Sequence, residues 1–148
     1  MKSEQGQTLV EFALILPILL LLVIGIYDFG SAFNQKNNLT FLANTAARYA
    51  EVDSCVPCGG QTIASYVQQT AVGFSSPPTV MFCLPSGSTG AVGDPLQVST
   101  SASFTWLAVK IPGLPTGSSP LGATVTVRIL DAPSSSDPVF GSKPIPAC

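Results

Sequence analysis

At 148 residues, with a net charge of −2, the chain is 46 % hydrophobic and only 9 % charged, well below the roughly 25 % charge of a soluble domain. The six cations (Lys2, Lys36, Arg48, Lys110, Arg128 and Lys143) are scattered, so no basic face exists to neutralise phosphates and no nucleic-acid partner is expected. There is no histidine, which excludes Ser/His/Asp and Cys/His mechanisms and imidazole zinc sites; the eight carboxylates form no close pair, so no enzyme activity, cofactor or small-molecule substrate is expected.

A short polar leader, residues 1–6, precedes an apolar run from Leu9 to Ile26 that is interrupted only by Glu11, Pro17 and Gly25. As a helix rising about 1.5 Å per residue, this run covers about 27 Å, close to the hydrocarbon thickness of a bilayer. A buried core helix would carry a polar stripe, and Ala13 to Ile24 has none. The expectation is a transmembrane segment over about residues 9–27. Lys2 and the amino terminus precede it and all four cysteines follow it, which favours a cytoplasmic N-terminus and an extracytoplasmic remainder. The chain therefore reads as a single-pass cytoplasmic membrane protein.

Three processing fates compete. Signal peptidase has small residues at Gly30 and Ala32, but the apolar run exceeds the usual 7–15-residue core of a signal peptide and the leader is barely cationic. An uncleaved signal-anchor is the second. The third arises from Gly6-Gln7-Thr8-Leu9-Val10-Glu11-Phe12, which resembles a prepilin peptidase site: cleavage follows a glycine, and a glutamate lies fifth in the mature chain. Counting from Gln7, Glu11 is fifth. Glycine suits such a site because it lacks a Cβ and lets a protease reach an extended backbone.

A carboxylate within a span costs about 2.5–3.5 kcal/mol at the bilayer centre and less near the edge. Snorkelling to the headgroups, aided by the helix N-terminus, explains how Glu11 is tolerated there, but not its coincidence with Gly6. The run Glu11-Phe12-Ala13-Leu14-Ile15-Leu16-Pro17 and its leucines resemble the TadE family of the tight-adherence (Flp) pilus system. So do Phe29-Gly30 just past the span and Ala46-Ala47-Arg48-Tyr49-Ala50. The similarity covers residues 6 to about 50. It implies a TadE/TadF-type minor pilin or pseudopilin, processed by a prepilin peptidase, whose partners are the membrane, other pilin subunits and pilus assembly proteins. It also implies assembly roles for Glu11, Phe12 and Pro17, with the Glu11 carboxylate pairing with the free amine of a neighbouring subunit. Pro17 has no N–H to bond the Ala13 carbonyl, so the helix is expected to kink or loosen there.

Past the span the helix is expected to run to about Glu51, giving a long helix over residues 7–52. Ala32/Phe33, Leu39, Ala43, Ala46/Ala47 and Ala50 recur at three- and four-residue spacing and form one apolar stripe. Its small alanines permit close approach of a partner. The chain's own domain is the expected partner, another subunit the alternative.

Residues 53–148 are expected to form an exported α+β domain with a Pro/Ser-rich tail. Pro57, Gly59 and Gly60 end the long helix, and Thr62 to Ala71 reads as a short amphipathic helix. Thr79–Leu84 and Leu96–Val109 read as strands, Ile111–Gly122 as a loop, and Ala123–Ile129 as the cleanest alternating strand. Trp106 and Phe104 read as core and rim, and residues 131–148 as extended or poorly ordered. The architecture expected is a long N-terminal transmembrane-plus-amphipathic helix packed on a small antiparallel sheet, pilin-like.

Cys55, Cys58, Cys83 and Cys148 lie on one side of the span and suggest disulfides in an oxidising compartment. A redox pair at Cys55-x-x-Cys58 would need a preceding strand and a following helix, and a zinc site would need a second paired knuckle. Structural disulfides are the better reading. Three pairings are open; the preferred one joins Cys83 to Cys55 or Cys58 and leaves Cys148 for the other. Function thus reads as a structural subunit contributing to a surface pilus and adhesion, against the alternative of a signal-anchored surface protein that does not polymerise.

Overall fold

The computed structural model describes residues 4–52, 59–106, 117–131 and 145–148. One helix, α1 (Glu4–Glu51), accounts for 48 residues and runs uninterrupted through Pro17. A short helix α2 (Ile63–Thr70) and three strands follow, β1 (Thr79–Cys83), β2 (Pro95–Thr105) and β3 (Ser118–Arg128). The strands make an antiparallel sheet in the order β1-β2-β3. The fold is α+β, a long helix with a small sheet laid on its C-terminal half.

Helix α2 starts where its sequence says it should. Thr62 is the N-cap, its Oγ1 accepting from the Ser65 N–H at 3.1 Å, while Ser65 Oγ donates back to the Thr62 carbonyl at 2.9 Å. Such reciprocal bonds satisfy donors that the first helical turn cannot pair internally. Ile63 and Val67, one turn apart, are the buried residues of α2.

Strand β2 alternates strictly. Leu96, Val98, Thr100, Ala102 and Phe104 point onto α1, and the intervening residues face away. The core they build has two parts. One gathers Leu42, Ala46, Ala47 and Ala50 of α1 with Ile63, Val67, Val80, Leu96, Val98 and Ile129; the other gathers Leu39 and Ala43 with Ala102 and Ala123. The alanine stripe of α1 is thus covered by the chain's own domain, and the lack of side-chain bulk lets the sheet lie close. Leu42 completes the buried stripe. Phe33 does not belong to it: it stands 67 % exposed, because the sheet meets the neighbouring Ala32 face.

Strand β3 is longer than its alternating segment suggests. Residues Ser118–Gly122, expected in a loop, pair with β2 from Thr105↔Ser118 through Pro120↔Ser103 to Gly122↔Ser101. Proline is accommodated because β3 is an edge strand and has a partner on one side only. Strand β2 in turn ends at Thr105; positions 107–109, expected to continue it, lie outside the described residues.

The C-terminus is anchored at residues 145–148. The Leu84 N–H donates to the Pro146 carbonyl and the Cys148 N–H to the Leu84 carbonyl, both at 2.8 Å, forming a parallel bridge between Leu84 and Ala147. Cys148 is bonded to Cys83, closing a separation of 65 residues. This corrects the preferred pairing: Cys83 takes Cys148, because the tail returns along β1, and not Cys55 or Cys58. The last two lie outside the described residues.

Candidate functional site

The residues singled out near the N-terminus all lie on the first turns of α1. Gly6, Gln7, Glu11, Phe12 and Pro17 are exposed, as are Leu9 to Val23 along the apolar run. None of the most apolar eighteen-residue window of this helix is buried against the rest of the chain, and its length and composition suffice to cross a membrane. About half of α1 thus emerges from the domain as an apolar rod. Monomeric soluble proteins rarely expose a contiguous apolar surface of this extent.

Gly6 lies inside α1, which begins at Glu4, and not in the extended backbone expected of a protease site. The first four N–H groups of any helix lack internal partners, so opening this turn for a peptidase costs little compared with opening the helix interior. A Cβ at Gly6 would meet nothing within 4 Å, so the local packing does not demand glycine there. Glu11 stands five residues further on, about 7.5 Å along the axis. The two positions are joined by spacing along the chain and by no tertiary contact.

Where α1 leaves the apolar run its environment changes. Asp28 and Ala32 are buried, while Tyr27, Phe29 and Phe33 are exposed. From Gln35 onwards polar tethers lash the helix to the domain. Gln35 Nε2 donates to the Gly73 carbonyl at 3.3 Å, Lys36 Nζ donates to the Gly122 carbonyl, and Thr100 Oγ1 donates to the Leu39 carbonyl at 2.9 Å. The far end of α1 is closed by the segment after β3: the Leu130 and Asp131 N–H groups donate to the Glu51 carbonyl at 2.8 and 3.4 Å. These bonds satisfy a carbonyl that the helix end leaves open.

Phe104 and Trp106 are core and rim as expected, but the partner of Trp106 on α1 was not foreseen. Trp106 continues the inward parity of β2 and reaches α1 at Phe29, with ring centroids 5.9 Å apart and edge-to-face. Phe104 packs edge-to-face on its other side at 4.9 Å, and the indole N–H donates to Ser119 Oγ at 2.9 Å. The alternation of Phe104 and Trp106 signalled this inward parity; the partner on α1, 77 positions earlier in the chain, had no local signal.

Chemically the described residues offer binding and packing surfaces. No three of Cys, Asp and Glu gather as metal ligands among them. The depression lined by Ser76, Thr79, Ser101, Ser103, Ser118 and Pro120 on the outer sheet face carries hydroxyls and no charge.

The family model for TadE-like proteins matches residues 6–48, from Gly6 into the alanine stripe that the sheet covers. No curated protein and no solved structure matches the chain. The N-terminal helix is TadE-like, consistent with a protein of the tight-adherence (Flp) pilus system.

Proposed function

We propose that this chain, TadE-like over residues 6–48, is a minor pilin or pseudopilin that a prepilin peptidase cleaves between Gly6 and Gln7 and that contributes to assembly of a surface pilus. The observation that carries the reading is the bare apolar half of α1, which lies within the family match and whose most apolar window is not buried among the described residues. In this reading the rod lies in the cytoplasmic membrane before assembly and packs against other subunits afterwards. Pro17 gives it a point of weaker internal bonding. Glu11, near the new N-terminus, offsets its desolvation by pairing with a neighbour's free amine. Catalysis plays no part; the exported domain is a structural head.

Intact mass of the mature protein tests the proposal. Loss of residues 1–6 supports it, and a full-length chain in cells that make the peptidase overturns it. Gly6→Ala should abolish that loss, and since a Cβ there is unopposed, a failure of processing reports on the peptidase and not on the fold.

The second reading, a signal-anchored surface protein that does not polymerise, draws on the alanine stripe. Its burial under the chain's own sheet removes that face of α1 as a contact surface for a neighbouring copy. An uncleaved but exported chain would favour it.

A further inference from the structure

We infer that the end of the sheet carrying Trp106 is a lipid-contact surface, seated in the headgroup layer of the bilayer from which α1 emerges. The inference rests on α1 crossing a membrane and adds where the exported domain sits relative to it.

Distance along the helix comes first. The apolar run ends at Ile26, and Phe29 follows three residues later, about 4.5 Å along the axis. A bilayer about 40–45 Å thick overall with about 30 Å of hydrocarbon leaves roughly 5–8 Å of interfacial zone on each side. Phe29 therefore falls within that zone, and so does whatever touches it. Trp106 touches it.

The chemistry suits the place. Tryptophan and tyrosine collect at the membrane–water boundary, where an apolar ring meets lipid and a polar tip meets hydrogen-bonding groups. Tyr27 is 65 % exposed and Phe29 71 %, although both belong to a helix whose next turns are covered by the domain. Phe104, one inward position further up β2, is almost fully buried at 4 %, whereas Trp106 is only half-buried. The sheet's core thus gives way to an open aromatic edge within one strand step of the level where the helix enters lipid. No lysine or arginine lies on α1 between Leu9 and Phe33, so on this helix aromatic rings, not cations, mark the level of the headgroups.

The seat is also rigid. The indole is held by Phe29 on α1, Phe104 on β2 and Ser119 on β3, and the last contact satisfies its N–H without help from lipid. Three elements thus share one anchor. It sets the depth of α1 and holds the domain upright on the membrane, without a flexible stalk.

Trp106 is the chain's single tryptophan, so its fluorescence reads its depth directly. The full-length wild-type chain is reconstituted in phosphatidylcholine vesicles whose acyl chains carry bromine either near the headgroup or near the chain end. Bromine near the headgroup should remove most of the emission and bromine near the chain end much less, with iodide on both faces of the membrane quenching weakly. Strong iodide quenching with no effect of either brominated lipid would show the domain standing clear of the bilayer. Stronger quenching from the chain end would show the tryptophan in hydrocarbon. Either result overturns the inference. Flotation after an alkaline wash separates this from failure of the underlying reading: a chain that floats but escapes lipid quenching sinks the seat alone, and one that does not float sinks both.

Discussion

Thr100 Oγ1 donates to the Leu39 carbonyl at 2.9 Å, a buried bond between the middle of the central strand and the middle of the C-terminal half of α1, 61 residues apart in sequence. Thr100 is the polar member of an otherwise apolar inward row, and this bond is what makes its burial tolerable. Thr100→Val keeps the shape and removes the donor. The Leu39 carbonyl keeps its place in the helix ladder, so the expected loss is about 1 kcal/mol. Chemical denaturation of the full chain in detergent, followed by Trp106 fluorescence, checks this.

Ala46 is fully buried between α1 and the sheet, where the helix has no side-chain bulk. Ala46→Leu should force the layers apart and cost about 1–3 kcal/mol. Asn44→Leu, on the exposed face of the same helix turn, should change stability by less than about 0.5 kcal/mol. Thermal melts of the two variants separate a packing effect from a general gain of hydrophobicity.

The Cys83–Cys148 bond closes a separation of 65 residues. Restriction of the unfolded chain by a loop of this size is worth about 4 kcal/mol in the chain-entropy account. Cys148→Ser should lower the melting temperature and release the C-terminal residues from Leu84. Limited proteolysis should then clip the C-terminus of the variant faster than that of the wild type under oxidising conditions.

Asp94 organises the turn before β2. Its Oδ2 accepts from the Thr89 N–H at 2.7 Å, the Thr89 hydroxyl at 3.0 Å and the Ala91 N–H at 3.3 Å. The Thr89 backbone and side-chain bonds hold its carboxyl below the usual carboxylate range. A lowered folded-state value means that the stabilisation is complete above the unfolded-state pKa and is lost as pH falls through the folded-state one. Asp94→Asn should therefore be less stable than wild type at neutral pH, and the difference should shrink in acid. A gap between the two melting temperatures that did not narrow on acidification would contradict this assignment.

The family-bearing parts of the molecule were legible because their signals are local. The apolar run shows its length directly, Gly6 and Glu11 show their spacing, and the alanine stripe shows helical periodicity. The short amphipathic helix read from Thr62 is equally local; its cap at Thr62 came from the structure. Strand ends were less legible. Pro120 and Gly122 read as loop residues, and only pairing with eleven residues of β2 draws them into β3.

Sequence by itself determined that the chain carries a membrane-length apolar helix with a TadE-like start, and that a small α+β unit follows it. These follow from composition and period over contiguous residues, whatever the rest of the chain does. The tertiary structure alone decided which face of α1 the sheet covers, leaving Phe33 in the open. It also decided that Cys83 takes Cys148, and that Trp106 comes down on Phe29. Each of these joins residues far apart in sequence. Such contacts depend on how strands and helix fill one shared core, and no stretch of sequence records that packing alone.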